Sequence, residues 1–287
     1  LQAVLAGDAA LPERAVAVTF DDGLLNNWTV ALPILKRLEV PAFFFLPTGF
    51  LDAASEGTLR RHWSEDLLAR FSYRSTEDPI DPETIGACLP ALDSASLPSS
   101  PAQTLLRAVE HLKGIPPTRR ADRLEALRSV LGHAPSEAFP ADPDGTSLLA
   151  TMTWDQARRA ATDGITLGGH TVNHEGLAAL PNETAAVEIE QSLNAIDEHT
   201  PSSAVFFSYP YGRPQDFSSF HQSVLADLGC RGAFTQIAGF NDRSTDPLSL
   251  RRMGVSSNHT LDMFAYVVSG TKTSVDRIIR GRRPSSP

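Results

Sequence analysis

Six short apolar runs, each closing on polar or turn residues and most alternating with helix-patterned segments, constrain this chain most. They are AVAVTF (residues 15–20), PAFFFLPTGF (41–50), GITLGGH (164–170), SAVFFSYPYG (203–212), CRGAFTQ (230–236) and PLSLRRMGV (247–255). Strands linked by helical crossovers must run parallel, because a parallel return needs a connection far longer than a hairpin. The spacing predicts helices over WTVALPILKRLEV (28–40, apolar face Val30, Ile34, Leu35, Leu38) and ETAAVEIEQSLNAIDEHT (183–200, face Ala186, Ile189, Leu193, Ile196). QDFSSFHQSVLADLG and TLDMFAYVVSG read as further helices. TMTWDQARRAATDG reads as another, with Thr153 and Gln156 spaced as a capping box. Alternation of this kind predicts an α/β parallel sheet or barrel.

Residues 56–150 break the pattern. Prolines recur at 79, 82, 90, 98, 101, 116, 117, 135, 140 and 143, with helical stretches between them (RRHWSEDLLARF, PAQTLLRAVEHL, PTRRADRLEALRSVL) and no strong strand signal. This segment is expected to be a mostly helical insertion into a single domain spanning 1–287.

The formal net charge of -9 makes non-specific binding to nucleic acid or anionic membranes a poor expectation. No apolar run approaches the roughly 18–20 residues of a membrane span. Two cysteines, Cys88 and Cys230, imply no disulfide framework and no metal-binding pair. The first residues, LQAVLAGDAALPERAV, show no signal-peptide pattern. A mature form or a trimmed piece would read the same, so a cytoplasmic and an extracytoplasmic location both stay open, and the oligomeric state is not legible.

Polar clusters stand at the ends of successive strands, the rim where parallel α/β folds build their sites. Asp21 and Asp22 follow AVAVTF, His170 follows ITLGG, and Tyr209-Pro210-Tyr211 follow AVFFS. In GGHTVNH, His170 and His174 are four apart; on a helical turn they would share a face and could grip one divalent metal. A carboxylate as third ligand would leave an open position for water. Thr171 follows His170, so the glutamate base of an HExxH site is absent, and Asp21 or Asp22 could supply both ligand and base.

TFDDG, HTVNH and SYPYG, in that order, resemble the first three motifs of the polysaccharide deacetylases, the NodB-homology group (carbohydrate esterase family 4). The resemblance covers residues 15–55 and about 150–260 and leaves out the middle segment. It implies a distorted (β/α)7-type barrel and a metal-dependent hydrolase acting on an acetylated amino sugar or glycan. It implies Asp22, His170 and His174 as ligands of a divalent metal, zinc (Zn²⁺) first and Co²⁺ or Ni²⁺ after it. Asp21 would be the general base, and the backbone N–H of Tyr211 would help hold the oxyanion. Tyr209, Pro210 and Trp28 are candidate substrate contacts; Asn26 would order the loop.

Two departures stand out. The family's third motif opens with an arginine that orients the base; here that position is Ser208, with Arg251 or Arg252 as the replacement and Arg252 favoured. The family's late LxH general acid is missing, leaving His259, water, Asp21 itself or a group from the middle segment, such as His62 beside Trp63. The remaining histidines (His111, His133, His199, His221) read as structural or solvated. An O-acetyl esterase, a sugar deformylase and an inactive carbohydrate-binding barrel therefore stay as alternatives. Adjacent aspartates in one enclosure also predict that, without metal, one of them has a raised pKa.

Overall fold

A computed structural model describes residues 15–77, 80–89, 97–132, 150–201, 203–256 and 258–269. The first fourteen residues, His133 and the prolines at 79, 90, 135, 140 and 143 lie outside the described residues. Six strands form one parallel sheet in chain order: β1 (Val18–Phe20), β2 (Ala42–Leu46), β3 (Thr166–Gly169), β4 (Phe206–Ser208), β5 (Gly232–Ala238) and β6 (Leu250–Arg252). This is the α/β barrel-type fold expected, a sheet curled into a half-barrel, with β1 and β6 as its two edges among the described residues. The edges approach each other, since Arg252 Nη1 on β6 donates to Thr19 Oγ1 on β1 at 3.2 Å.

Two-residue alternation sorts the side chains. Phe43, Phe45, Phe206, Phe234 and Leu250 fill the concave interior. Phe44, Leu46, Leu167, Phe207 and Tyr209 face outward and pack, with helix residues, in the principal core. Gly168 has no room for a side chain: a Cβ there would stand 2.6 Å from the Phe45 ring and 2.7 Å from the Phe206 carbonyl oxygen. Each buried phenylalanine contributes roughly 1.5–3 kcal/mol relative to exposure.

The crossovers are α1 (Leu32–Arg37) between β1 and β2, α7 (Trp154–Thr162) before β3, α8 (Asn182–His199) between β3 and β4, and α9 (Ser219–Asp227) between β4 and β5. The capping box of α7 forms as read, with Gln156 N–H donating to Thr153 Oγ1. The face expected for the first helix is corrected. Leu32 and Leu35 are buried, while Val30, Ile34 and Leu38 are exposed. Pro33 has no N–H to donate, and the chain enters α1 through a π-turn over Asn27–Ala31, closed by Leu32 N–H on Asn27 O, which rotates the apolar face.

PAFFFLPTGF is strand only as far as Leu46; Pro47 then opens α2 (Thr48–Ser55). Between α2 and α7 lie α3 (Trp63–Glu77), α4 (Pro82–Ala87), α5 (Pro101–Lys113) and α6 (Pro117–Leu131). They share a core of their own built on Trp63, Leu67, Ile85, Leu105, Leu112 and Leu127. The last helix among the described residues is α10 (Leu261–Val268). Among the described residues, no helix is long and apolar enough to cross a membrane.

Candidate metal centre and its surroundings

One step beyond the phenylalanine layer, the same alternation turns Asp21, His170, Ser208 and Arg252 inward at the C-terminal rim. Asp22 reverses direction through a left-handed backbone, φ 69°, which aspartate tolerates and Gly23 (φ 56°) continues. The two neighbours therefore face different partners. Asp22 Oδ1 lies 3.4 Å from His170 Nε2 and 3.0 Å from His174 Nε2. Asp21 takes Arg252 in a two-pronged pair, Nη1 to Oδ1 at 2.8 Å and Nη2 to Oδ2 at 2.7 Å. Arg251, the other candidate, is exposed, as its parity on β6 requires.

The ligating atoms of Asp22, His170 and His174 all lie within 4.8 Å of one another, the one such group of three or more found among the described residues. His170 Nδ1 stands 2.7 Å from the Ser208 carbonyl and must donate to it, which leaves the Nε2 lone pair free for a cation. His174 Nδ1 is buried with no hydrogen-bond partner among the described residues. Two imidazole nitrogens and one carboxylate oxygen converging on one point suit a divalent transition metal.

The GGHTVNH stretch forms no helix. Thr171 (φ 62°) and His174 (φ 56°) are both left-handed, and with Asp22 and Tyr211 they make four of the five positive-φ non-glycine residues described. Each costs on the order of 1–3 kcal/mol and persists only where the surroundings over-determine it. Here the surroundings come from two helices. The first-turn amides of α2 donate to the loop, Thr48 N–H to Thr171 O at 3.1 Å and Gly49 N–H to Val172 O at 3.0 Å. From α8, Glu188 Oε2 accepts the Val172 and Asn173 amides, both at 2.9 Å, and Oε1 accepts from Asn173 Nδ2. Sequence reasoning missed Glu188. Its signal was present: a lone carboxylate on the buried stripe Ala185, Glu188, Ile189, Ser192, Leu193, Ile196.

Arg252 is aimed by a bulge. Five residues of β5, from Phe234 to Ala238, stand against three of β6, from Leu250 to Arg252. Within the bulge the Thr235 carbonyl accepts from Arg252 Nε at 2.7 Å, and Gln236 Nε2 donates to Asp21 Oδ2 at 3.3 Å. Ser208, standing where the family has arginine, accepts from Arg252 Nη2 at 3.1 Å and donates to Asp21 Oδ2 at 3.3 Å.

The expectation of a raised aspartate pKa is overturned. Burial alone would push both carboxyls up. The Arg252 guanidinium, hydrogen-bonded to Asp21, holds that carboxyl below its usual value, and the neighbouring His170 adds to the effect. His174 and His170 hold Asp22 well below it. The partners that separate the two roles also relieve the repulsion.

The other expected contacts sort by geometry. Tyr209 is fully buried, stacks on Phe217 (centroids 4.2 Å apart) and donates to Leu248 O at 2.9 Å. Its outward parity removes it from any substrate. Tyr209→Phe is expected to lower stability by about 0.5–1.5 kcal/mol in denaturant unfolding and to leave KM where it is; a raised KM would restore the substrate contact. Pro210 is buried as well, and its carbonyl accepts the Gly212 N–H at 2.7 Å around Tyr211 (φ 61°). Trp28 packs partly buried against the principal core. Asn27, not Asn26, reaches the aspartates, Nδ2 to Asp21 O at 3.4 Å.

His62 packs edge-on against His174 with centroids 4.8 Å apart, and its Nε2 lies 3.2 Å from Tyr211 Oη. Trp63 packs within the core of α3–α6, under the Arg120 guanidinium. His259 caps its own turn, Nδ1 accepting the Ser256 amide at 3.4 Å. His199 stacks on Trp154, and His221 Nδ1 accepts the Ser218 amide.

Fold and centre together describe an α/β half-barrel with two histidines and a carboxylate converging at its C-terminal rim. The sequence matches the polysaccharide deacetylase family over residues 8–72 and 133–233, more than half of the chain, and the protein belongs to that family. Similar solved structures include the Streptococcus pyogenes deacetylase PplD in complex with acetate (16% identity, TM-score 0.55, covering 93% of this chain and 76% of that one). The de-N-acetylase from Aggregatibacter actinomycetemcomitans is another (15%, 0.53, 92% and 79%). So is the BpsB deacetylase domain from Bordetella bronchiseptica (17%, 0.52, 87% and 74%). At these identities the likeness is one of fold. No curated protein matched the sequence.

Proposed function

We propose that this chain is a metal-dependent hydrolase that removes N-acetyl groups from an amino sugar of a glycan or glycan precursor. The observation that carries the reading is the division between adjacent aspartates, Asp22 turned to two histidines and Asp21 gripped by Arg252. Asp22, His170 and His174 would hold the cation, with zinc the best match to the donor set and Co²⁺ or Ni²⁺ next. When bound, the metal supplies a Lewis acid that activates water and polarises the acetyl carbonyl.

Asp21 accepts the proton of the attacking water. Its two oxygens are held in place by Arg252, Ser208 and Gln236, so the carboxylate stays ionised and oriented. The Tyr211 N–H, which donates to no group among the described residues, faces the developing oxyanion. Asp21 then returns the proton to the leaving nitrogen, and acetate and a free amine result. The helices between β2 and β3 are, in this reading, an insertion over residues 56–150 of a single catalytic domain; the family match skips residues 73–132. The O-acetyl ester reading keeps one observation in its favour: His259 is engaged in its own turn, and an alcohol leaves with less need of an acid than an amine.

Acetate release from N-acetylglucosamine oligomers and from 4-nitrophenyl acetate tests the reading. Dialysis against a chelator is expected to abolish release, and zinc addition to restore it. Hydrolysis that survives chelation, or no release from any amide or ester, would sink it.

A further inference from the structure

Tyr211 is bent into a turn that its residue type does not favour. Its φ is 61°, and the Gly212 N–H reaches back to Pro210 O at 2.7 Å, which closes a γ-turn of the strained, positive-φ kind. A tyrosine keeps such a turn only where its surroundings fix it. On one side the chain is pinned to β5: Gln236 N–H donates to Gly212 O at 2.8 Å, and a Cβ on Gly212 would stand 2.6 Å from Gln236 N. The other anchor is the Tyr211 side chain. His174 packs edge-on against its ring at 5.4 Å between centroids, Lys113 Nζ at the end of α5 lies 4.8 Å from its centroid, and a Cβ on Gly176 would come within 3.3 Å of its edge. At the tip of the ring, Tyr211 Oη meets His62 Nε2 at 3.2 Å.

His62 is held on every side. It is buried, it directly precedes α3, and its carbonyl accepts the Asp66 N–H at 3.0 Å in the first turn of that helix. Its neighbour Trp63 is set in the core of α3–α6. Ser64 settles the tautomer of the ring. The Ser64 N–H points at His62 Nδ1 at 3.4 Å, and Ser64 Oγ lies 2.7 Å from the same atom. Nδ1 is therefore the acceptor, and the ring proton sits on Nε2. The His62 Nε2–H donates to Tyr211 Oη, the one hydrogen bond of that hydroxyl among the described residues.

We propose that His62 is a positioning residue for the oxyanion: by holding the Tyr211 hydroxyl, it keeps the strained turn closed and the Tyr211 N–H aimed at the acetyl oxygen. The assignment rests on the deacetylase reading above. It gives the helical segment a part in the chemical step, through a hydrogen bond to a side chain whose own backbone amide does the work. It also removes His62 from the candidates for general acid, because its Nε2 proton is engaged by Tyr211 Oη.

Tyr211→Phe and His62→Leu delete the bond from its two ends and leave the Tyr211 amide in the chain; His62→Gln keeps a donor near the place of Nε2. Each variant is assayed, zinc-loaded, on N-acetylglucosamine oligomers and on 4-nitrophenyl acetate. Both deletions are expected to lower kcat about tenfold on both substrates with KM little changed, less than the roughly 10²–10³-fold for removing an oxyanion donor outright. His62→Gln is expected to recover part of the loss. The double variant is expected to be no slower than the slower single one, because both changes delete the same bond. An acid at His62 would instead slow the amide and spare 4-nitrophenyl acetate, whose leaving group needs no proton. That pattern, additive losses, or an unchanged kcat in Tyr211→Phe overturns the assignment. Tyr211→Phe removes a single oxygen and carries the test by itself where His62→Leu fails to fold. Its zinc affinity, by chelator competition, is expected to match that of the wild type; a fall in affinity in step with kcat would place the effect on His174 and overturn the assignment too. A wild type that releases acetate from neither substrate overturns the deacetylase reading instead.

Discussion

Asp21→Asn is expected to lower kcat by about 10²–10⁴-fold, the range for removing a positioned general base, while the protein still binds zinc. The ligand set Asp22, His170 and His174 is untouched by this change. Asn keeps the shape and one acceptor oxygen, so Thr19, Ser208 and Thr235 O continue to hold the Arg252 guanidinium. It cannot take up a proton from water. The Asp21 and Arg252 side chains are only 15% and 10% exposed, so halving the pair also costs stability, up to roughly 3–5 kcal/mol. The measurement is therefore double: turnover, and zinc affinity by competition with a chromogenic chelator. Lost turnover with retained affinity assigns the base to Asp21; lost affinity would mean that the two aspartates have exchanged roles. Arg252→Ala acts on the same carboxylate from the other side and is expected to reduce kcat more than it changes KM, because Arg252 orients Asp21 and does not reach the substrate.

Glu188→Ala is the second large effect, and it acts without touching the centre. The carboxylate caps two consecutive amides of the metal loop, and its removal leaves both partly buried and unpaired, at about 1–3 kcal/mol each. With the clamp gone, the left-handed turns at Thr171 and His174 are held by the α2 amides and by Arg60, whose Nη2 donates to Asn173 Oδ1 at 2.7 Å. Zinc affinity is expected to fall about 10–100-fold, the usual scale for losing an outer partner of a metal site. The thermal midpoint should fall with it, while the far-ultraviolet circular dichroism keeps its native shape. Glu188→Gln retains one acceptor oxygen and should recover part of the affinity. Zinc affinity unaltered in Glu188→Ala would show that α2 and Arg60 suffice to hold the loop.

Much of this was legible in the sequence, for a simple reason. Strand alternation has a period of two, and parallel strands end on one rim, so Thr19-x-Asp21, Gly168-x-His170, Phe206-x-Ser208 and Leu250-x-Arg252 all read as inward pairs once the strands are recognised. The same parity should have placed Tyr209 outward, in the core. The motif order then pointed to the centre, and Arg252 was legible because Ser208 could not supply a guanidinium. The period of 3.6 was less secure, since one π-turn before Pro33 was enough to turn the first helix's face away from the expected residues.

What the tertiary structure decided is the set of features that local pattern does not encode. The sequence by itself determined a parallel α/β fold and the residue types at its rim, because burial period and strand order are local properties. Only the folded chain decided that the histidine loop is a strained bend held by Glu188 from one helix and by the amides of another. Only the folded chain brought a bulge on β5 to Arg252, His62 to His174, and α5 to the far side of Tyr211. Each of these contacts joins segments far apart in sequence, and their energies depend on distances that the order of residues does not contain.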